Sequence, residues 1–321
     1  MRILVTGGAG FIGSHLCERL IKDGHVVTAI DNFTTGRASN LAQLDGVDGF
    51  TLIEGSILDS QLLTRLITDA DYVFHLAAAV GVFNIVNYPL ASLLTNIRGT
   101  ENVLEAAYST KTPVFLTSSS EVYGKNVSDS LKESDDRILG SPVTLRWSYS
   151  EAKAIDESLA YAYFIEKQLD TRIVRFFNTV GPRQLGAYGM VVPRFVKSAM
   201  INEPITIYGD GTQTRCFAHV YDVIDAVIAI AFAANTVGKV INIGNDFEIS
   251  INGLAQKIIT ETNSMSEIVY VSYDEAYGDG FEDMERRVPN IDLINQLVGW
   301  KPQRDLSRII ADITAEMMKE S

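Results

Sequence analysis

Short apolar runs recur through the first half of the chain. Ile3-Leu4-Val5, Val26-Val27-Thr28-Ala29-Ile30, Thr51-Leu52-Ile53, Tyr72 to Leu76, Val114 to Thr117 and Thr171 to Phe176 read as short buried strands. Between them, stretches such as Ile12 to Asp23 and Asn96 to Ser109 place apolar residues at helical spacing. Strand and helix alternating in this way predict an α/β fold, a doubly wound parallel sheet with helices on both faces.

The alternation fades after Asn178. Gly181-Pro182, Gly186, Gly189 and Tyr208-Gly209-Asp210-Gly211 predict a loop-rich stretch. A last strand candidate is Val240 to Ile243, and the tail from Ile291 is predicted helical. The expected organisation is a first domain over 1–177, with returning segments at about 216–245 and 281–291. A smaller, interrupted C-terminal portion, 178–215 and 246–321, sits over its sheet.

Composition narrows the function. The 321 residues are 46% hydrophobic and 21% charged, an ordinary globular profile. A formal charge of −13 argues against nucleic acid as a partner, since phosphates need a basic face. No apolar run approaches the roughly 20 residues of a membrane span, and the chain enters a strand pattern with no signal peptide ahead of it. Cys17 and Cys216 are too far apart in sequence to suggest a ligand pair, so no metal is expected, and a reducing, cytoplasmic compartment is.

The first strand runs into Thr6-Gly7-Gly8-Ala9-Gly10-Phe11-Ile12-Gly13, and a helical pattern follows at once. Gly7 suits the tight turn, Gly10 lets the backbone approach a pyrophosphate, and Gly13 lets helix and strand pack closely. The helix N-terminus offers unpaired N–H groups and partial positive charge to phosphates. In this strand-to-helix context the motif predicts a Rossmann dinucleotide site. Asp31 ends the second strand, 18 residues after Gly13. An acid there accepts from a ribose 2′-hydroxyl and repels a 2′-phosphate, which favours NAD over NADP. Arg37 is the one nearby residue that speaks for a phosphate.

Tyr149 and Lys153 stand four apart at the start of a predicted helix, Glu151 to Lys167, and share one face. An ammonium beside a phenol favours the phenolate and suits the tyrosine to general-base work. A second pair with the same spacing, Tyr163 and Lys167, lies fourteen residues on, roughly 21 Å along the helix. Both cannot serve one nicotinamide. The first pair is nearer the C-terminal edge of the sheet, where such folds bind ligands, and the second is expected at the surface. Ser119 and Glu121, in Thr117-Ser118-Ser119-Ser120-Glu121-Val122-Tyr123-Gly124, follow the fifth strand, where a hydroxyl can meet a substrate hydroxyl.

Together these motifs, with Asp31-Asn32-Phe33 and His75-Leu76-Ala77-Ala78, resemble the extended short-chain dehydrogenase/reductases, the NAD-dependent epimerase/dehydratase family acting on nucleotide sugars. The resemblance continues through Phe177 to Arg183, Tyr208 to Arg215 and Val240 to Gly244. It implies bound NAD contacting Gly7, Gly10, Phe11, Ile12, Gly13, Asp31, Asn32, Ser56, Ile57, Leu76, Ala77, Ala78, Tyr149 and Lys153. It also implies a UDP-linked substrate contacting Asn178, Arg183, Val192, Tyr208, Gln213 and Arg215, and a homodimer formed through the helices at about 96–109 and 150–167.

Within the family, Ser120 stands where dehydratases of dTDP-glucose carry an Asp. Arg146-Trp147-Ser148-Tyr149, Gly189 to Phe195 and Arg286-Arg287-Val288-Pro289-Asn290-Ile291 are similar to UDP-glucuronate decarboxylases. Val288 departs from the Lys usual there. The resemblance implies Tyr149, Lys153, Ser119, Glu121 and Arg287 as catalytic residues, with Arg287 at the sugar carboxylate. The implied chemistry is oxidation at C4, loss of carbon dioxide, and release of UDP-xylose or the UDP-4-keto-pentose. Two alternatives stand beside it: a 4-epimerase of a UDP-sugar or UDP-uronate, and a protein that senses NAD without catalysis. His219 is expected to be structural and Met190 to be core.

Overall fold

The computed structural model describes residues 1–81, 85, 87–186, 190–277 and 284–320. The first part of the chain alternates β1 (Arg2–Thr6), α1 (Phe11–Lys22), β2 (Val26–Asp31), β3 (Phe50–Glu54), α2 (Ser60–Thr68), β4 (Tyr72–His75), α3 (Pro89–Thr110), β5 (Val114–Ser119), α4 (Ser148–Lys167) and β6 (Thr171–Phe176). There follow β7 (Thr179–Val180), α5 (Val191–Met200), β8 (Ile205–Tyr208), β9 (Thr214–Cys216), β10 (Ala218–His219), α6 (Val220–Ala231) and β11 (Val240–Ile243). The chain continues with β12 (Glu248–Ser250), α7 (Ile251–Glu261), β13 (Ile268–Val271), α8 (Tyr273–Tyr277), β14 (Arg286–Arg287), α9 (Asp292–Val298) and α10 (Leu306–Glu320).

Seven strands form one parallel sheet in the order β11-β6-β5-β4-β1-β2-β3. Its central strands are apolar without alternation, because both faces are covered. One face is closed by Leu16 and Leu20 of α1 with Val223, Val227 and Ile230 of α6. The other is closed by Leu63 and Ile67 of α2, Val103 and Leu104 of α3 and Ala160 of α4. The chain steps outward from β1 to β3, then returns to lay β4 on the other side of β1. Such a reversal opens a crevice at the C-terminal strand ends, the usual ligand position in open α/β sheets.

The expected late strand, Val240 to Ile243, joins this sheet beside β6. The stretch read as loop-rich differs more. Residues 191–200 form a helix, with Val192, Phe195, Val196 and Ala199 buried. Pro193 falls in its first turn, where a proline costs no hydrogen bond. Gly189, and residues 281–283 of the expected returning segment, lie outside the described residues. A separate apolar cluster joins α5, α7 and α10, including Phe195, Leu254, Ile258, Ile309 and Ile310. Strand β9 lies between β12 and β14 in a small sheet over the crevice side of the molecule. Among the described residues no helix is long and apolar enough to cross a membrane, and no cluster of metal-ligating side chains occurs.

Candidate active site

A cavity of about 710 Å³ lies at the crevice, lined from one end by Gly7, Asp31 and Leu76 and from the other by Tyr208, Gln213 and Arg287. Its floor begins at the glycine turn. Gly7 adopts φ +71°, and a Cβ added there would fall 2.8 Å from Ala77 N. At Gly13 a Cβ would fall 2.1 Å from the Gly7 carbonyl oxygen. Only glycine lets α1 start this close to the turn. Asp31 at the end of β2 accepts hydrogen bonds from Ala9 N at 3.0 Å and Phe33 N at 2.8 Å, and it lines the cavity. A narrow glycine cradle at a helix N-terminus, with a carboxylate at the next strand end, fits an adenine dinucleotide. Phe11, Ile12, Asn32, Ile57, Ala77 and Ala78 line the same end. Ser56 is not among the lining residues; its hydroxyl accepts from Leu58 N at 3.1 Å and caps its own turn.

The Leu76-Ala77-Ala78 stretch is held from behind. The Thr6 hydroxyl accepts from Ala77 N at 3.2 Å and meets His75 Nδ1 at 2.7 Å. Nε2 of the same ring lies 3.2 Å from the Thr100 hydroxyl, so each ring nitrogen has a hydroxyl partner. Burial, with Lys153 nearby, lowers the His75 pKa to about 3, so the ring is neutral.

Helix α4 begins at Ser148, earlier than the sequence pattern suggested, and carries Tyr149 in its first turn. Tyr149, Lys153, Ser119 and Glu121 all line the cavity, and the Ser119 side chain hydrogen-bonds the phenol. Burial pushes the phenol pKa up, Glu121 and Asp156 add to that, and the Ser119 bond and Arg146 oppose it. The Lys153 ammonium donates to Thr117 O at 3.1 Å and to Asp156 Oδ2 at 3.2 Å. The second pair, Tyr163 and Lys167, lies away from the cavity against Tyr108.

Glu121 is held by two arginines. Arg146 reaches it with both terminal nitrogens, Nη2 at 3.0 Å, and Arg287 Nη1 approaches at 2.8 Å. Burial works against the charge, but Arg146 and Arg287 outweigh it and bring the carboxyl down to about 2. The three side chains together carry one net positive charge. Among the described residues only Nη1 of Arg287 makes hydrogen bonds, and its buried Nε has no partner.

Arg146 and Asp156 received no role from the sequence, although each lies three residues from a member of the Tyr149–Lys153 pair. For Asp156 that spacing on α4 was the available signal; Arg146 lies in the short 145–147 turn ahead of the helix. Asn178, Arg183, Val192, Tyr208, Gln213 and Arg215 all line the cavity. Several are already engaged: Asn178 donates to Cys216 O at 2.9 Å, Arg183 pairs with Glu18 at 2.5 Å, and Gln213 donates to the Tyr273 hydroxyl at 3.0 Å. Met190, expected in the core, is half-buried on the cavity wall. His219 caps α6, accepting from Tyr221 N at 3.1 Å, with Asp312 on its other nitrogen.

Comparison with known proteins agrees with this geometry. Residues 3–244 match the family described as NAD dependent epimerase/dehydratase. A UDP-N-acetyl-alpha-D-glucosaminuronate decarboxylase of Bacillus cytotoxicus is 42% identical, over 94% of this chain and 92% of that protein. UDP-glucuronic acid decarboxylase 1 of Xenopus tropicalis is 36% identical, over 94% of this chain and 68% of that protein. A crystal structure of UDP-glucuronic acid 4-epimerase from Bacillus cereus, with UDP-glucuronic acid and NAD, superposes with a TM-score of 0.90. The identity there is 29%, and each chain is covered over 100% of its length.

Proposed function

The chain belongs to the NAD dependent epimerase/dehydratase family, and on that footing we propose that it is an NAD-dependent carboxy-lyase acting on UDP-glucuronate. The product is UDP-xylose or the UDP-4-keto-pentose. The observation that carries this reading is the Arg146–Glu121–Arg287 cluster beside Tyr149: two cations on one anion, with unused donors on Arg287. A neutral hexose offers such a cluster hydroxyl oxygens but no counter-charge. A uronate carboxylate supplies the missing charge and a planar pair of acceptors for a guanidinium.

NAD, when bound over the glycine turn, supplies reversible hydride exchange with C4 of the sugar. Tyr149 takes the C4 hydroxyl proton, with Ser119 hydrogen-bonded beside it. Lys153 holds the phenol's surroundings positive. A 4-keto uronate is a β-keto acid, so its C5–carboxylate bond can break with the electron pair passing to the C4 oxygen as an enolate. The Arg287 guanidinium orients the carboxylate before it leaves. Glu121 enters the reaction ionised, so the proton that C5 takes up comes from water, which Glu121 holds. Tyr149 then returns its proton to the C4 oxygen, and the cycle consumes one proton from solvent.

Asn178, Arg183, Val192, Tyr208, Gln213 and Arg215 serve the UDP end, and the glycine turn, Asp31 and the 76–78 stretch serve the dinucleotide. In this reading 1–177 with its returning segments is the cofactor domain and 178–215 with 246–321 the sugar-nucleotide portion. The protein works as a cytoplasmic homodimer built on α3 and α4. Exposed Ile155, Tyr161 and Ile165 on α4, and two unpaired thiols, support that placement.

The test is product analysis. Incubation with NAD and UDP-glucuronate should release carbon dioxide and give a UDP-pentose by NMR, while UDP-glucose should not react. UDP-N-acetylglucosaminuronate belongs in the same assay, because the Bacillus cytotoxicus relative is named for it. Conversion of UDP-glucuronate to UDP-galacturonate without carbon dioxide would replace the decarboxylase by a 4-epimerase.

A further inference from the structure

Asp156 lies three residues after Lys153 on α4, and its side chain is 0% exposed. One oxygen accepts from Lys153 Nζ at 3.2 Å, and the Thr100 hydroxyl of α3 also stands against the carboxylate; burial raises its pKa, while Lys153 and Thr100 oppose that. A buried carboxylate is a costly way to satisfy an ammonium that already has the Thr117 carbonyl at 3.1 Å. An asparagine would fill the same space and still offer an oxygen to the lysine. The negative charge is what distinguishes aspartate from asparagine at this position.

We propose that Asp156 is a positioning and charge-setting residue: it aims Lys153 at the cavity and, as its counter-charge, sets the pH at which Tyr149 gives up its proton. An ammonium has three donors. With Thr117 O and Asp156 taking two, the third is left for what enters the cavity, which Lys153 lines.

The charge matters because Tyr149 is needed in both protonation states, as a base when C4 is oxidised and as an acid when the C4 oxygen is reprotonated. A bare ammonium would favour the phenolate throughout. A carboxylate behind it restores the balance, since opposite charges near one phenol act in opposite directions. The other charged groups around the pair are already matched. Glu121 is held by Arg146 and Arg287, Glu157 by Arg175 at 2.7 Å, and His75 is neutral. Thr100 of α3, whose side chain hydrogen-bonds Asp156, carries no charge. Asp156 is thus the group whose neutralisation changes the field at Tyr149 without freeing a second charge on another element; asparagine keeps an oxygen for the Thr100 hydroxyl.

This inference rests on Tyr149 as the proton-transfer group but not on which uronate is bound, so its test uses no sugar. The phenolate absorbance of the NAD-saturated enzyme is titrated, with Tyr149→Phe subtracted to isolate residue 149. Asp156→Asn should move the Tyr149 midpoint down by about one pH unit. An unchanged midpoint, or one that rises, overturns the proposal, because Asp156 would then carry no charge that the phenol senses. Absence of any Tyr149 signal in both proteins up to the alkaline limit of folding overturns it too. Should Asp156→Asn fail to fold, Asp156→Ser, also uncharged, is held to the same expected shift. A failed decarboxylation assay leaves this titration untouched, which separates the two readings.

Discussion

Glu121 and Arg287 meet at 2.8 Å from positions 166 residues apart. One follows the fifth strand of the main sheet, and the other lies on a two-residue strand of the small sheet. The contact closes the cavity from both parts of the molecule and concentrates charge where a sugar carboxylate would lie.

Arg287→Lys should weaken the enzyme selectively. Lysine keeps the charge but loses the planar fork that matches a carboxylate. KM for UDP-glucuronate should rise roughly tenfold or more, a change worth about 1.4 kcal/mol per factor of ten, while NAD affinity stays the same. Steady-state kinetics alongside a dinucleotide titration checks both.

Glu121→Gln should act on turnover more than on binding. The two arginines lose their anion and hold the uronate at least as firmly, but the water that protonates C5 loses its acceptor. The expected outcome is a fall in kcat of about a hundredfold or more, the scale of one general acid–base group, with KM unchanged or lower.

Tyr149→Phe should leave the fold intact and cut turnover by about a hundredfold to ten-thousandfold. The matching control is Tyr163→Phe, away from the cavity, which should retain full activity. Circular dichroism and turnover of the two variants side by side decide whether position or spacing identifies the working pair.

Gly13→Ala should abolish dinucleotide binding. The new Cβ would stand 2.1 Å from the Gly7 carbonyl oxygen, with backbone and no flexible side chain to give way. Fluorescence titration with NADH is the direct measurement, and retained affinity would mean that the turn is not the pyrophosphate site.

Acid should destabilise the protein through its buried histidines. Burial, with Arg183, lowers the His15 pKa to about 4, and burial, with Lys153, lowers that of His75 to about 3, from 6.5 for both. The unfolded chain therefore binds protons first as pH falls. Stability from the neutral rings is complete above 6.5 and drains as pH drops from there toward 4 and then 3. The melting temperature should fall across that window, and a His15→Gln variant should flatten its upper part.

The parts of the site that were legible in the sequence are those built from short spacings in one element. The glycine turn, Asp31 at a strand end and Tyr149 four before Lys153 each declare their geometry locally. Arg146 and Asp156 were equally close by, yet charged residues usually face water; Arg146 is buried in the short 145–147 turn before α4, and Asp156 is turned inward by the packing of α4 against α3 and the sheet. Arg287 could not be found by spacing at all, since a neighbour 166 residues away leaves no local trace; it came from resemblance. The helix at 191–200 was hidden by the glycines and proline around it, whose turn signal outweighed the apolar spacing of Val192, Phe195, Val196 and Ala199. Ser56, expected at the cofactor end, stands between the lining residues Gly55 and Ile57, and its hydroxyl serves its own turn.

Strand β14 gives its two arginines opposite tasks. Arg286 grips Glu248 on the outer side with two bonds, at 2.7 and 2.8 Å, while Arg287 points toward Glu121. The strand is also held by its pairing to β9 and by Leu131 N donating to Val288 O, and the Glu248 clasp adds a fixed point one residue from the Arg287 side chain. Loosening the clasp, by salt or by loss of Glu248, would blunt the enzyme's grip on its substrate from a site the substrate never touches.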